Sequence, residues 1–304
     1  MPSGARAYLL FERSNARMDI IVDNPFTPAL VMSLIAAVVL ALVAYFTKSA
    51  LVASLAAPLV FLLAYYETYQ KIPPFPPAGA ANKVFYIGLA ATLVVLTAGW
   101  IWRTRTARIA SAVMVSVIAG VWISWTKLGD ADPLTLPLLA ASVVAGAIAL
   151  HRLDVIAAAP LPYGAAAAFS QLAAVSVLCA PVALFGGSST GVGLFLGVAV
   201  GAAVLSLQSL ASARNLMACA MLGVGGGLLG ALDALALITR RADPYALALV
   251  VLATFLGPWA VRLLPGSMQD KPVTVWLVSG FATLSPLPVI LALLFWRHEN
   301  PLGN

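Results

Sequence analysis

Asp233 is the one carboxylate set inside a long apolar run rather than at the edge of one. On a helix, residues three, four or seven positions apart share a face. Asp233 therefore stands one turn after Gly230 and two turns after Gly226, on a strip of small residues. An ionised Asp facing lipid at a helix centre costs about 3 kcal/mol. The strip must therefore turn into a bundle, where the carboxyl neutralises, finds a partner or meets water. Two readings stand. In one, Asp233 binds a proton or cation and couples it to movement of a solute. In the other, Asp233 lies two turns before Arg240 and Arg241, near enough to the interface to be hydrated or paired. The depth of the side chain decides between them.

Other intramembrane polar groups are few. Ser170 and Gln171 could line a pathway, although one interhelical hydrogen bond is the commoner fate of a membrane Gln. Gln208, Ser209 and Asn215 sit at the ends of their runs, and prolines 58, 181, 258, 286 and 288 interrupt or border runs. In GVGLFLGVAVG, Gly193, Gly197 and Gly201 repeat every four residues. In GVGGGLLGALD, Gly223 with Gly227 and Gly226 with Gly230 do the same. Glycines four apart form a groove in which another helix can approach until backbones nearly touch. These faces are expected to pack against each other or a neighbour, and could also let helices slide.

The segment YYETYQKIPPFPPAGAANK clusters Tyr65, Tyr66, Glu67 and Tyr69 at a membrane edge and raises Phe75 on a stiff, polyproline-like run. It reads either as an interfacial aromatic belt with a rigid connector or as a docking element for another membrane subunit or a second copy. No G-x-x-x-x-G-K-[ST], C-x-x-C or H-E-x-x-H motif occurs. His151 and His298, the only histidines, fall on opposite faces of the expected topology. Asp132 and Asp243 precede prolines in turns, where capping is the usual role. No metal, no cofactor and no catalytic carboxylate pair is therefore expected, and the chain does not read as an enzyme. Cys179 and Cys219 lie at opposite depths, too far apart for a disulfide.

The elements that would hold these groups follow from composition. Hydrophobic residues make up 62% of the 304 and charged ones 9%, against about 25% charged in a soluble domain. Such surface needs hydrocarbon as its solvent, so membrane lipids are the obligatory partners. Ten runs, 27–47, 50–69, 84–102, 109–126, 134–151, 164–185, 190–210, 215–238, 244–263 and 273–296, are each near the ~20 residues of a membrane-crossing helix. They are apolar all round, which excludes the alternation of a β-barrel. The expected fold is an all-α bundle over 27–296, with an N-terminal arm at 1–26 and a tail at 297–304. Met18 is an alternative start.

The net charge of +6 reflects basic residues in cytoplasmic loops rather than nucleic-acid binding. Counting Lys and Arg alone nearly ties the two faces. The cluster RTRTAR at 103–108, and a start at Met18, favour a cytoplasmic RTRTAR and both termini outside, in a plasma membrane of bacterial inner-membrane type. Trp100, Trp102, Trp122, Trp125 and Trp296 flank charged ends as interfacial anchors. The pairs AR 107–108 with ADP 131–133, and AR 213–214 with ADP 242–244, suggest a parallel internal repeat. Function is expected to be that of a secondary transporter or permease for a small solute, proton- or cation-coupled. The alternative is a non-catalytic membrane subunit or scaffold.

Overall fold

The computed structural model describes residues 27–101, 104–130, 132–159, 164–212, 216–217 and 219–297. The N-terminal arm, Asn215 and the tail beyond Arg297 lie outside the described residues. Every regular element within them is helical. In chain order these are α1 (Thr27–Thr47), α2 (Ala50–Tyr69), α3 (Ala80–Ile101), α4 (Arg105–Gly129), α5 (Thr135–Ala157), α6 (Gly164–Phe185), α7 (Ser189–Ser212) and α8 (Ala220–Asp233). The last of these continues as a π-helix over Ala234–Thr239. Then come α9 (Pro244–Arg262), a single turn at Gly266–Gln269, α10 (Pro272–Leu284) and α11 (Leu287–Arg297). The final two form one broken span, so ten units are long and apolar enough to cross a bilayer. The chain is a multi-pass membrane protein.

Local chemistry starts and stops these helices. Ser49 accepts from the Val52 N–H and Thr104 from the Ala107 N–H at the starts of α2 and α4. Asp243 accepts from the Tyr245 and Ala246 N–H groups, with Pro244 in the first turn of α9. Such caps satisfy backbone donors that have no partner within the helix. The tenth span breaks at Ser285 and Pro286, where the proline offers no N–H to continue the ladder.

Burial sorts the spans. Two thirds of the α7 and α8 spans are buried, against 28% of α1. These two helices form the interior, and α1 is largely a lipid-facing wall. Yet α7 and α8 do not pack on each other. α7 lies against α6, α1 and α2, whereas α8 is enclosed by α2, α3, α4 and α5. α9 and α10 close the other side, on α5 and α6.

The glycines make these close approaches sterically allowed. A Cβ at Gly201 would lie 2.2 Å from Val60 of α2, and one at Gly197 would lie 2.8 Å from Ser33 of α1. On α8, Gly223 faces Pro58, Gly227 faces Phe61, Gly226 faces Ala91 and Val115, and Gly230 faces Ile87. Across α3, the Cβ position of Gly88 is 3.6 Å from the Gly227 Cα, so the two backbones nearly meet. The glycine faces of α7 and α8 thus both meet α2, while α7 also takes α1 and α8 also takes α3 and α4. Gly193, on the α7 strip, is buried too.

Several boundaries move by three residues or more: α3 begins at Ala80 rather than 84, and α4 spans Arg105–Gly129 rather than 109–126. α5 runs to Ala157, six residues past the expected end, and α8 begins at Ala220 rather than 215. The parallel repeat is not shown: α4 and α5 pack face to face, but α8 and α9 form no such interface.

Two ion pairs join loops at one end of the bundle, Arg240 to Asp132 and Arg297 to Asp243. The Leu134 N–H and the Arg240 guanidinium hold the Asp132 carboxyl below the ordinary carboxylate range. Because its folded-state affinity for a proton is lowered, this clamp stabilises the fold above that range and is lost as pH falls through it. Asp132→Asn should therefore lower thermal stability modestly at neutral pH and converge on the parent protein at acid pH, so that the acid limb flattens, measured in detergent. Gly201→Ala and Gly227→Ala drive a methyl into buried Val60 and Phe61. Each should cost about 1–3 kcal/mol in unfolding experiments. Gly129→Ala, with nothing within 4 Å of its Cβ, should cost nothing measurable.

Candidate functional site

Asp233 is the last α-helical residue of α8, and the six residues after it are π-helical. π segments are rare and frequent at functional sites. Thr239 ends the span six positions later. At about 1.5 Å per residue, Asp233 lies roughly 9 Å inside it, near one third of the ~30 Å hydrocarbon thickness. Its side chain is buried, at 1% exposure.

Four helices surround this carboxyl. Ser142 of α5 donates a short hydrogen bond from Oγ to Oδ1. Oδ2 is buried without a hydrogen-bond partner among the described residues. It faces Gly120 of α4, where a Cβ would lie 3.8 Å from Oδ2 and 2.6 Å from Leu139. The missing side chain at Gly120 is what leaves room there. Ile87 of α3 covers the turn below, against Gly230.

The interfacial reading of Asp233 does not survive this geometry. Arg240 points outward to Asp132 and Thr135. Arg241 is exposed and lies beside Gly187. Neither guanidinium reaches the buried carboxyl, and no cation pairs with it among the described residues. Its one hydrogen-bond partner is a hydroxyl, which can donate to a carboxylate or accept from a carboxylic acid. Ser142 can therefore serve the group in either protonation state.

Gln171 and Ser170 belong to a different centre. Gln171 Nε2 donates to Ser279 Oγ at 2.7 Å, while its Oε1 is buried and unpartnered among the described residues. Ser170 Oγ donates to the Trp276 carbonyl, and the Trp276 indole N–H donates to Ser206, which in turn donates to the Ala166 carbonyl. Gly257 and Gly280 admit the Gln171 and Ser170 side chains. This seam ties α6, α7, α9 and α10 together. It does not meet Asp233, which α3, α4, α5 and α8 surround.

The aromatic edge also divides. Tyr65 is fully buried, stacked on Tyr69 at 4.4 Å, and its hydroxyl donates to the Ala81 carbonyl. It belongs to the bundle rather than to a docking surface. Tyr66 and Phe75 are exposed, Glu67 is half-buried, and Phe75 rests edge-on against Tyr86. Tyr86 in turn donates to the Pro73 carbonyl.

One buried acid escapes a reading that ends the fifth span at His151. Leu150, Leu153, Asp154 and Ala157 form the inward face of the last turns of α5. Asp154 is 1% exposed, with Arg108 Nε 3.9 Å away and Cys219 at the start of α8 beside it. The helical spacing of these apolar neighbours was the available signal. No three His, Cys, Asp or Glu side chains converge as metal ligands among the described residues. Comparison with known proteins finds no matching family model, no similar curated protein and no similar solved structure.

Ser142→Ala strips the buried carboxyl of its hydroxyl and should lower stability by about 0.6–1.7 kcal/mol, the range for membrane hydrogen bonds. Asp233→Asn retains shape and a polar group and should unfold no earlier than the parent protein. Thermal midpoints in a single detergent check both.

Proposed function

We propose that the protein is a permease for a small solute, driven by a proton or another cation, with Asp233 as the coupling group. The carrying observation is the burial of this carboxyl, about 9 Å inside its span by helical rise, with Ser142 as its hydrogen-bond partner and no cation paired to it among the described residues. Intramembrane ionisable groups are expensive and tend to mark ion pathways. A packing role at this position would need only Asn or Ser, at lower cost.

The surroundings support the same reading. Gly226 and Gly230 lie two turns and one turn before the carboxyl and hold α3 and α4 close without interlocking side chains. Gly193, Gly197, Gly201, Gly223 and Gly227 extend such contacts to α1, α2 and α3. Helices that meet through glycine can shift against each other with few side chains to repack. The π-helical end of α8 adds a segment whose hydrogen-bond ladder differs from the rest of that helix. Arg105, Arg108, Arg152 and Arg262 support a cytoplasmic assignment for the end of the bundle they share, in an inner-membrane setting with both termini outside.

In reconstituted vesicles, a panel of amino acids, sugars, organic acids and inorganic cations would be screened for uptake under an imposed pH gradient. For a responding solute, Asp233→Asn should reduce gradient-driven accumulation by about tenfold or more, within the usual span of coupling effects. Solute exchange without a gradient should be largely retained. Accumulation that is unchanged in the variant removes Asp233 from the mechanism and favours a subunit that only packs against partners.

A further inference from the structure

The outward face of α9 carries Leu252, Phe255, Trp259 and Arg262 at spacings of three, four and three, so one stripe runs from apolar to cationic toward one end of the bundle. Leu252, Phe255 and Trp259 are 57%, 37% and 61% exposed, whereas Ala253, Thr254 and Gly257 on the other face are buried. Beside this stripe α5 brings Arg152, whose guanidinium sits 4.8 Å from the centre of the Phe255 ring. The two helices enclose an open groove of about 470 Å³, lined by Arg152, Phe255, Leu256, Pro258, Trp259 and Arg262.

The charges in this groove are not balanced. Among the described residues neither Arg152 nor Arg262 forms an ion pair, and Arg152 Nε is buried without a hydrogen-bond partner. Asp154, two residues from Arg152, is turned inward toward Arg108. Two cations that repel each other at the mouth of an apolar trough call for an anion with a hydrocarbon tail. Guanidinium groups bind phosphate oxygens through paired N–H donors, and basic pockets between membrane helices suit anionic headgroups.

We propose that the α5–α9 groove binds one anionic phospholipid. Its phosphate sits between Arg152 and Arg262, and an acyl chain lies along Trp259, Phe255 and Leu252. This site lies on the outer wall of the bundle and is independent of the role of Asp233. Leu256 and Pro258 form the trough beneath the chain.

Purified protein, washed free of lipid in detergent, would be offered equal amounts of phosphatidylglycerol and phosphatidylethanolamine with identical chains. Retained lipid is then counted by native mass spectrometry. Wild-type protein should keep phosphatidylglycerol over phosphatidylethanolamine by about tenfold or more, equivalent to about 1.4 kcal/mol. The double variant Arg152→Gln, Arg262→Gln should lose that preference, and Arg241→Gln, an exposed arginine at the other end of the bundle, should keep it. Equal retention of the two lipids, or a preference that survives the double variant or disappears in the control, overturns the proposal. Displacement of the lipid by millimolar inorganic phosphate also overturns it, because the site would then read a free anion. Should the double variant not fold, Trp259→Ala removes only an exposed ring and should weaken phosphatidylglycerol retention severalfold; unchanged retention counts against the site.

Discussion

The structure depends on how closely other helices can approach α8. Four neighbours crowd a helix that has hydrogen in place of side chains at Gly223, Gly225, Gly226, Gly227 and Gly230. In lipid, helices gain nothing by hiding apolar surface from one another, so association rests on van der Waals contact and on polar contacts. Dispersion weakens steeply with a gap of even an ångström. Bare backbone therefore lets α2, α3, α4 and α5 bring whole side chains, such as Phe61, Val115 and Leu150, into contact with α8. The same crowding brings Ser142 and Gly120 to the one acidic group on that helix.

Polar groups elsewhere satisfy two demands in different ways. Ser54, Thr68, Thr92, Ser116 and Ser124 each return a hydrogen bond to the carbonyl four residues earlier, within their own helix. Ser54 also accepts from the Met217 N–H at 2.8 Å, and the other four leave the apolar walls intact. The bonds that cross between helices are fewer and differ in kind. Gln171 to Ser279 and Trp276 to Ser206 join neutral groups and fix α10 to α6 and α7. Ser142 to Asp233 engages a group that can change its charge. One arrangement is mortar, and the other is responsive.

Much of the architecture could be read from residue order, because a hydrocarbon solvent dictates span length and apolarity alone. The spans at 27–47, 50–69 and 164–185 match to the residue. What failed did so where charge and helix coexist. HRLD after Leu150 looks like the end of a span, yet α5 continues and turns Asp154 inward against Arg108. Asp233 was legible as an anomaly, but its fate depended on where Arg240 points, which is set by Asp132 more than a hundred residues earlier. Likewise Gln171 and Ser170 stood out as polar, while their separation from Asp233 follows from helix packing that no local spacing encodes.

The interruption at Ser285 and Pro286 bears on how the chain crosses the bilayer. α10 and α11, with 13 and 11 residues, reach only about 20 and 17 Å at 1.5 Å per residue, short of the ~30 Å to be crossed. Neither half is a viable stop on its own. The two halves therefore cross only as a pair, and each depends on the other for its depth. The indole of Trp276 and the amide of Gln171 seat the first half against α7 and α6, and the second half is carried by that anchorage.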